Sequence, residues 1–166
     1  VPVSGPFRPG TWPYNESVPL PEYQPERSSE ILSELGYIDS DGDSIRDKNG
    51  NELSIELYVD DAADLKRHVA QRLKWQLLRV GVRLDVKYLP FNELLQNHLY
   101  PGKYETALLQ FNSGDEPHTF TYLFWHSDRI GASNLASYGK PEVDELLDSG
   151  LRETDQEKRE EIYNEI

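Results

Sequence analysis

The chain has 166 residues, which is enough for one well-buried core and too few for two ordinary domains. Its 17 basic and 30 acidic residues give a net charge of −13, which disfavours nucleic acids and anionic membrane surfaces as partners. Without cysteine it has neither disulfides nor a thiolate metal site, and no apolar run approaches the roughly 20 residues that span a bilayer. The lack of methionine and of a signal-peptide core indicates a fragment of a longer protein.

Residues 1–22 are predicted to form an extended, proline-rich arm. Six prolines in this stretch remove backbone donors and restrict the residue before each ring, so neither a helix nor a central strand can form. The aromatic residues Phe7, Trp12 and Tyr14 indicate that the arm lies against a surface. A linker that is ordered only by neighbouring chain is the alternative.

Residues 23–166 are predicted to form a single α/β lobe that opens with a short helix over residues 25–35. Ile31, Leu32 and Leu35 give this helix an apolar stripe, and Gly36 ends it.

Alternating apolar residues then predict strands at residues 53–59 and 82–88, and a long amphipathic helix separates them at residues 65–80. Gly81 closes that helix. Because a single helix of about five turns joins the two strands, parallel pairing through a right-handed βαβ crossover is expected.

The second half of the chain continues the α/β pattern. Pro90 opens another helix, and the nearly continuous apolar run at residues 106–111 predicts a strand covered on both faces. Two helices are predicted in the tail, one beginning at Pro141 and one capped by residues 154–155. The predicted fold class is α/β, with a largely parallel sheet flanked by helices.

Motifs for catalysis are missing from the sequence. The chain has no G-x-S-x-G elbow, phosphate-binding loop, H-E-x-x-H pair or cysteine nucleophile. His118 and His126, near Asp115, Glu116 and Asp128, match no standard metal-ligand spacing. The sequence therefore predicts a binding function and no enzymatic activity.

An aspartate-rich loop at residues 39–47 raises the question of a calcium site. Its partial match to an EF-hand loop places Ser44 at the glycine position and Gly50 at the position of the bidentate glutamate. The favoured interpretation is that the aspartates cap successive turns by accepting local backbone N–H bonds. A structural calcium ion is the alternative, and no other cofactor is predicted. The candidate calcium ligands are Asp39, Asp41, Asp43 and Asp47.

Several stretches resemble one protein family in their order and spacing. They include the helix YQPERSSEILSELGY from Tyr23, the turn DGDSIRDKNG from Asp41, the helix end LRVGV from Leu78, and residues 134–138 followed by PEVD. Together they resemble the family 5 extracellular solute-binding proteins, bacterial receptors that deliver oligopeptides, dipeptides or nickel to ABC importers. The resemblance covers almost the whole chain. It implies one lobe of a two-lobed, type II periplasmic-binding-protein-like fold, with the other lobe outside this chain.

The resemblance also implies where the protein works and with what. It implies a periplasmic or extracellular location at the membrane-associated face, compatible with a lipoprotein anchor, and a monomer that reaches ABC permease subunits through the full-length protein. A peptide captured in the cleft between the lobes is the predicted ligand. A nickel chelate, an opine, haem or a sugar is the alternative within the family. A secreted, calcium-stabilised structural or interaction module is the competing interpretation from another class.

Ligands of open α/β sheets settle beyond the carboxyl ends of the strands, which places the loop after Phe111 at the ligand site. In peptide-binding relatives the corresponding segment resembles Trp-x-x-Asp-Tyr-x-Asp-Pro, in which the ring packs on the ligand and the first acid pairs with its α-ammonium. Counted back from Pro117, the acid position is Ser113, and the aromatic position is Gln110 or, with a gap, Phe111.

This departure from the family pattern leaves two alternatives. Either Asp115 or Glu116 takes over the acid's role, or the ligand has no free amino terminus. For Tyr122 and Trp125, core packing is the alternative to ligand contact. The predicted ligand-binding residues are Gln110, Phe111, Asn112, Ser113, Asp115, His118, Tyr122 and Trp125.

Overall fold

The computed structural model describes residues 3–62, 64–111, 114 and 116–166. The chain forms two compact units, here called the sheet unit (Tyr23–Gln110) and the helical unit (Val1–Glu22 with Phe111–Ile166). This grouping differs from the predicted arm and single lobe, because the arm packs with the helices at the other end of the chain.

The sheet unit begins with helix α1 (Pro25–Glu34), followed by a hairpin of β1 (Asp47–Lys48) and β2 (Asn51–Glu52). The hairpin was not among the predicted elements. Its signal is the pair Asn49-Gly50, whose φ angles of 56° and 76° suit a tight two-residue turn. Helix α1 has no fully buried residue, and of its apolar stripe Leu32 is half-buried.

A three-stranded parallel sheet forms the centre of this unit. Strand β3 (Ser54–Asp60) is followed by helix α2 (Asp64–Leu78), strand β4 (Arg83–Leu89) and, further along the chain, strand β5 (Thr106–Leu108). The strand order is β4–β3–β5, and both pairings of β3 are parallel. The predicted α/β class and the parallel pairing of the two strands joined by a helix are confirmed.

The core of the sheet unit lies between the sheet and α2. Leu57 and Val59 of β3 are buried with Leu84 of β4 and Ala70 of α2. Alternation along β3 and the four-residue spacing along α2 direct these side chains to one interface. Gly81 ends α2 with φ of +80°, and the N–H of Val82 donates to the carbonyl of Leu77 in a Schellman arrangement.

Between β4 and β5 the chain forms helix α3 (Phe91–Leu94), which continues as a π-helical turn over Leu95–Leu99. Strand β5 has three residues, so it is shorter than the predicted strand at residues 106–111. The remainder of that apolar run follows the strand as irregular chain.

The helical unit contains α4 (Pro117–Trp125), a 3₁₀ turn (Ser127–Arg129), α5 (Pro141–Arg152) and α6 (Gln156–Glu165). Proline stands in the first turn of α4 and α5, and the Asp155 side chain caps α6 by accepting from the Lys158 N–H. Phe7 of the arm, Leu147 of α5 and Tyr163 of α6 form the buried cluster of this unit. Within the described ranges, no helix is both long and apolar enough to cross a membrane.

Candidate ligand-binding site

The carboxyl edge of the parallel sheet is the first place to look for a ligand site. The three strands end there at Asp60, Leu89 and Leu108, and the chain then leaves the sheet unit through Gln110, which is exposed. Gln110 offers an amide donor and an acceptor at this edge.

Asp60, at the end of the central strand, is the most buried acid of that edge and was not predicted from sequence. Its Oδ2 forms an ion pair with Nζ of Lys66, and its Oδ1 accepts from the Ala62 N–H at 2.9 Å. The hydrogen bond from Lys66 holds the pKa of this carboxyl below its usual value, so it is ionised at neutral pH. Both oxygens are engaged, which makes Asp60 a structural acid. In the sequence, the pair Asp60-Asp61 directly after an apolar strand was the feature that could have indicated an acid at this edge.

Beside this pair, a cation lies over an aromatic ring. The guanidinium of Arg67 is 4.8 Å from the ring centroid of Tyr88 on β4. Arg67 and Asp61 are both exposed, so this edge offers one charge of each sign to solvent.

The predicted aromatic contact, Phe111, is 45% exposed and is part of a larger group of rings in the helical unit. Its ring centroid is 4.4 Å from that of Phe124, which in turn is 4.8 Å from that of Phe120. Phe120 and Phe124 are four residues apart on α4 and therefore lie on one face of the helix. We call these three residues the aromatic ladder; it offers partly exposed apolar surface directly beside the predicted binding loop. The predicted ligand contacts included Phe111 but neither Phe120 nor Phe124, although their four-residue spacing is visible in the sequence.

Three of the predicted contacts, Asn112, Ser113 and Asp115, lie outside the described residues. Glu116, considered as a substitute acid, is engaged elsewhere. Its Oε1 accepts from Arg159 at 2.7 Å and from the backbone N–H of His118 at 3.3 Å, which caps α4. Arg159 also lies over the ring of Trp12 at 5.1 Å, so the carboxylate of Glu116 contributes to the packing of this unit.

His118 and Tyr122, two further predicted contacts, stack along another side of α4. Their ring centroids are 5.3 Å apart, and Tyr122 continues the stack to His126 at 4.4 Å. Burial lowers the pKa of His118, so its ring is neutral at physiological pH. Its Nδ1 is buried and has no hydrogen-bond partner among the described residues.

Trp125 packs against the buried cluster of Phe7, Leu147 and Tyr163. Its ring also meets Phe120 edge to face, with centroids 5.7 Å apart. These contacts favour the core-packing alternative for Trp125, and a role in ligand contact stays a prediction.

His126 is buried beside three aspartates, but among the described residues these side chains do not form a metal-binding group. Carboxylate oxygens of Asp128, Asp144 and Asp148 lie 3.7–3.9 Å from its ring nitrogens. Its Nδ1 accepts from the Asp128 N–H at 3.1 Å, and Asp144 accepts from the backbone and hydroxyl of Ser127. These groups therefore satisfy one another.

The aspartate-rich loop shows the local capping expected of it. Asp39 accepts from the N–H groups of residues 42 and 44, Asp41 from that of residue 43, and Asp43 from that of residue 45. The three carboxylates are exposed and come within 4.8 Å of one another. Asp47 instead accepts from the backbone and hydroxyl of Ser40, which lowers its pKa. Calcium binding by this loop stays a prediction.

Comparison with protein families matches residues 1–132 to the bacterial extracellular solute-binding proteins, family 5 Middle. The chain belongs to this family. The match covers most of the sequence and confirms the resemblance on which the predicted function depends. An unrelated structural or interaction module is therefore not favoured.

Individual members of the family are distant in sequence and similar in fold. The chain is 23% identical over 165 residues to the oligopeptide-binding protein AppA of Bacillus subtilis. This alignment covers 97% of this chain and 30% of AppA. It is 24% identical over 167 residues to heme-binding protein A of Haemophilus influenzae. That alignment covers 98% of this chain and 28% of the relative. The chain thus spans less than a third of the length of these relatives.

Solved structures confirm the type II periplasmic-binding-protein class of the fold. AppA in complex with a nonapeptide matches with a TM-score of 0.80 at 23% identity, over 97% of this chain and 32% of that one. NikA from Brucella suis in complex with Fe(III)-EDTA matches with a TM-score of 0.79 at 20% identity, over 96% of this chain and 32% of that one.

Proposed function

We propose that this chain is part of an extracellular solute-binding protein that captures peptides for an ABC importer. The observation that carries this proposal is the family match over residues 1–132. The relative AppA, whose solved structure holds a nonapeptide, supports peptides as the ligand class. The full-length protein works as a monomeric receptor in the periplasm or outside the cell, at the face of the membrane that carries the permease.

The aromatic ladder supplies the apolar part of the site. Phe111 is the most exposed of its three rings and sits next to the predicted binding loop, so a ligand that covers it removes apolar surface from water. Gln110 supplies hydrogen bonds that fix orientation, as the few polar groups of ligand pockets generally do. No bond is made or broken in this role; the receptor encloses its ligand by hinge motion of the full-length protein.

The state of Glu116 bears on which peptides bind. Oε1 of its carboxylate pairs with Arg159, which partly neutralises the charge that a peptide's α-ammonium would meet, while the side chain is 54% exposed. The candidate acids are therefore Asp115 and the partly neutralised Glu116, and the alternative is a ligand whose amino terminus is blocked. Peptides with free and with acetylated amino termini distinguish the two: a loss of affinity of more than tenfold on acetylation indicates an acid anchor.

The proposal is tested by isothermal titration of ligand-free, full-length protein with peptides of graded length. We expect micromolar or tighter binding by the wild type, and about a tenfold weaker affinity, equal to about 1.4 kcal/mol, for Phe111→Ala. Tyr100→Ala is the matched control, because Tyr100 is 44% exposed and precedes β5 instead of following it. Failure of the wild type to bind any peptide, with binding of a metal chelate, haem or sugar instead, would contradict the peptide assignment.

A further inference from the structure

Strand β5 is the shortest strand of the three-stranded sheet and leads directly toward the proposed ligand contacts. Its three residues pair with β3, and Thr106 lies opposite Leu57. Gln110 follows two residues after the strand ends, and Phe111 is the next residue. The register of β5 against β3 therefore determines where the chain leaves the sheet for Gln110 and Phe111.

The apolar pattern of β5 does not specify this register. Ala107 and Leu108 point to opposite faces of the sheet, and both are half-buried. In a strand with one polar face, a slip by one residue turns the apolar side chains toward water, and this cost fixes the register. A strand that is apolar on both faces lacks that constraint, so its register depends on other contacts.

Two side chains supply such contacts at the start of β5. The backbone N–H of Glu56 donates to Oε2 of Glu105 at 2.8 Å, and Oγ1 of Thr106 donates to the carbonyl of Glu56 at 2.7 Å. Glu56 directly precedes the part of β3 that pairs with β5. One acceptor and one donor on consecutive residues thus match the donor and the acceptor of a single backbone residue. We call Glu105 and Thr106 the register clamp.

The register clamp fits one register. Within residues 103–110, Glu105 is the one carboxylate and Thr106 the one aliphatic hydroxyl. A slip of two residues keeps every side chain on its face, but brings Lys103-Tyr104 or Ala107-Leu108 opposite the same backbone groups. Neither pair combines a carboxylate acceptor with a short hydroxyl donor, so both hydrogen bonds would be lost.

We propose that Glu105 and Thr106 are positioning residues for ligand capture, because their side chains fix the register of β5 and thereby the place of Gln110 and Phe111. This inference rests on the proposed function, in which Gln110 and Phe111 contact a bound peptide. Each residue of slip displaces the strand by about 3.3 Å, whereas a binding site has to be held within about 0.5 Å. In this role neither residue of the register clamp touches the ligand.

The test measures the affinity of the full-length protein by isothermal titration, with the peptide of the graded series that the wild type binds most tightly. Glu105→Ala with Thr106→Val removes both polar groups, and valine keeps the branched shape of threonine. We expect this variant to bind about tenfold or more weakly, because apparent affinity falls with the fraction of protein in the binding-competent register. Glu105→Gln with Thr106→Ser keeps an acceptor and a hydroxyl, and should bind within about threefold of the wild type.

Hydrogen exchange of the ligand-free protein separates the local effect from a loss of overall stability. Without the register clamp, amides of residues 106–110 should exchange about tenfold faster or more, while those of α2 and β4 stay within about twofold of the wild type. Gly81→Ala is the matched control for stability. Its new Cβ would crowd Arg46, but Gly81 precedes β4 at the amino end of the strand, away from the carboxyl edge. This variant should be less stable and keep its peptide affinity within about twofold.

Three results would overturn the inference while the transport function stands. The first is a peptide affinity of the variant without the register clamp within about twofold of the wild type. The second is an equal loss of affinity in the conservative variant, which would show that the hydrogen-bonding groups are not responsible. The third is an equal loss in Gly81→Ala, which would attribute both losses to stability.

Failure of the proposed function is seen separately. A wild type that binds no peptide overturns that function and this inference together. If Glu105→Ala with Thr106→Val does not fold, Thr106→Val alone replaces it, and we expect a loss of affinity of about threefold or more. Affinity of that single variant equal to the wild type overturns the inference.

Discussion

The contribution of the Asp60–Lys66 ion pair to the free energy of unfolding can be measured directly. The two side chains are only 6% and 13% exposed, and Asp60 ends the central strand. Replacing one partner leaves the other charge largely buried and unpaired, which typically costs about 3–5 kcal/mol. Since Lys66 can turn its flexible ammonium partly toward water, we expect the lower end, about 3 kcal/mol, for Asp60→Asn. In a domain of this size that corresponds to a fall in Tm of about 6–12 °C.

The assay is urea unfolding followed by circular dichroism for the wild type, Asp60→Asn, Lys66→Met and the double variant. The double variant should recover more than half of the stability that each single variant loses, because it buries no unpaired charge. Glu52→Gln is the control, since its pair with Arg83 is 42% and 43% exposed and should contribute less than about 1 kcal/mol. A coupling free energy below about 0.5 kcal/mol between Asp60 and Lys66 would refute the reasoning.

The same pair predicts a dependence of stability on pH. The pKa of Asp60 is lowered in the folded state by Lys66, so the unfolded chain takes up this proton first as the pH falls. The stability that the pair contributes is therefore complete well above the unfolded-state pKa of 3.8, and is lost as the pH falls through the lower folded-state pKa. The difference in unfolding free energy between wild type and Asp60→Asn should be constant near neutral pH and shrink in acid. A difference that grows in acid would contradict the assigned ion pair.

Two further predictions concern the loops of the sheet unit. In Gly81→Ala, the new Cβ would lie 2.6 Å from Cγ of Arg46, at a backbone φ of +80°. We therefore expect the free energy of unfolding, measured in urea, to fall by about 1–3 kcal/mol. An unchanged urea midpoint would contradict the close approach of these atoms. Because backbone N–H groups already engage Asp39, Asp41 and Asp43, about 1 mM CaCl₂ should leave the Tm of chelator-treated protein unchanged, and a clear rise would identify a calcium site.

The βαβ centre of the fold could be predicted because its signals are local. Alternation around Leu57 and Val59, four-residue spacing along α2 and a closing Gly81 each determine a neighbouring stretch of backbone, and together they leave parallel pairing as the expected connection. The Asn49-Gly50 turn was equally local and could have been found. The length of β5 was not predictable, because an apolar run does not indicate how many of its residues pair with the neighbouring strand.

The arrangement of the helical unit depends on contacts between distant parts of the chain. Nothing near Phe7 indicates that its ring meets Tyr163 edge to face, with centroids 6.0 Å apart. The engagement of Glu116 by Arg159, 43 residues away, was hidden for the same reason. Sequence patterns report the period of an element, and the pairing of side chains across elements depends on tertiary packing.

Hydrogen exchange of the full-length protein with and without a bound peptide tests the central claim most directly. If the chain captures peptides on the aromatic ladder, amide protection on binding should appear in residues 110–118 and continue into the first turns of α4. Protection confined to other parts of the protein, with these amides exchanging at unchanged rates, would contradict a ligand site at Phe111.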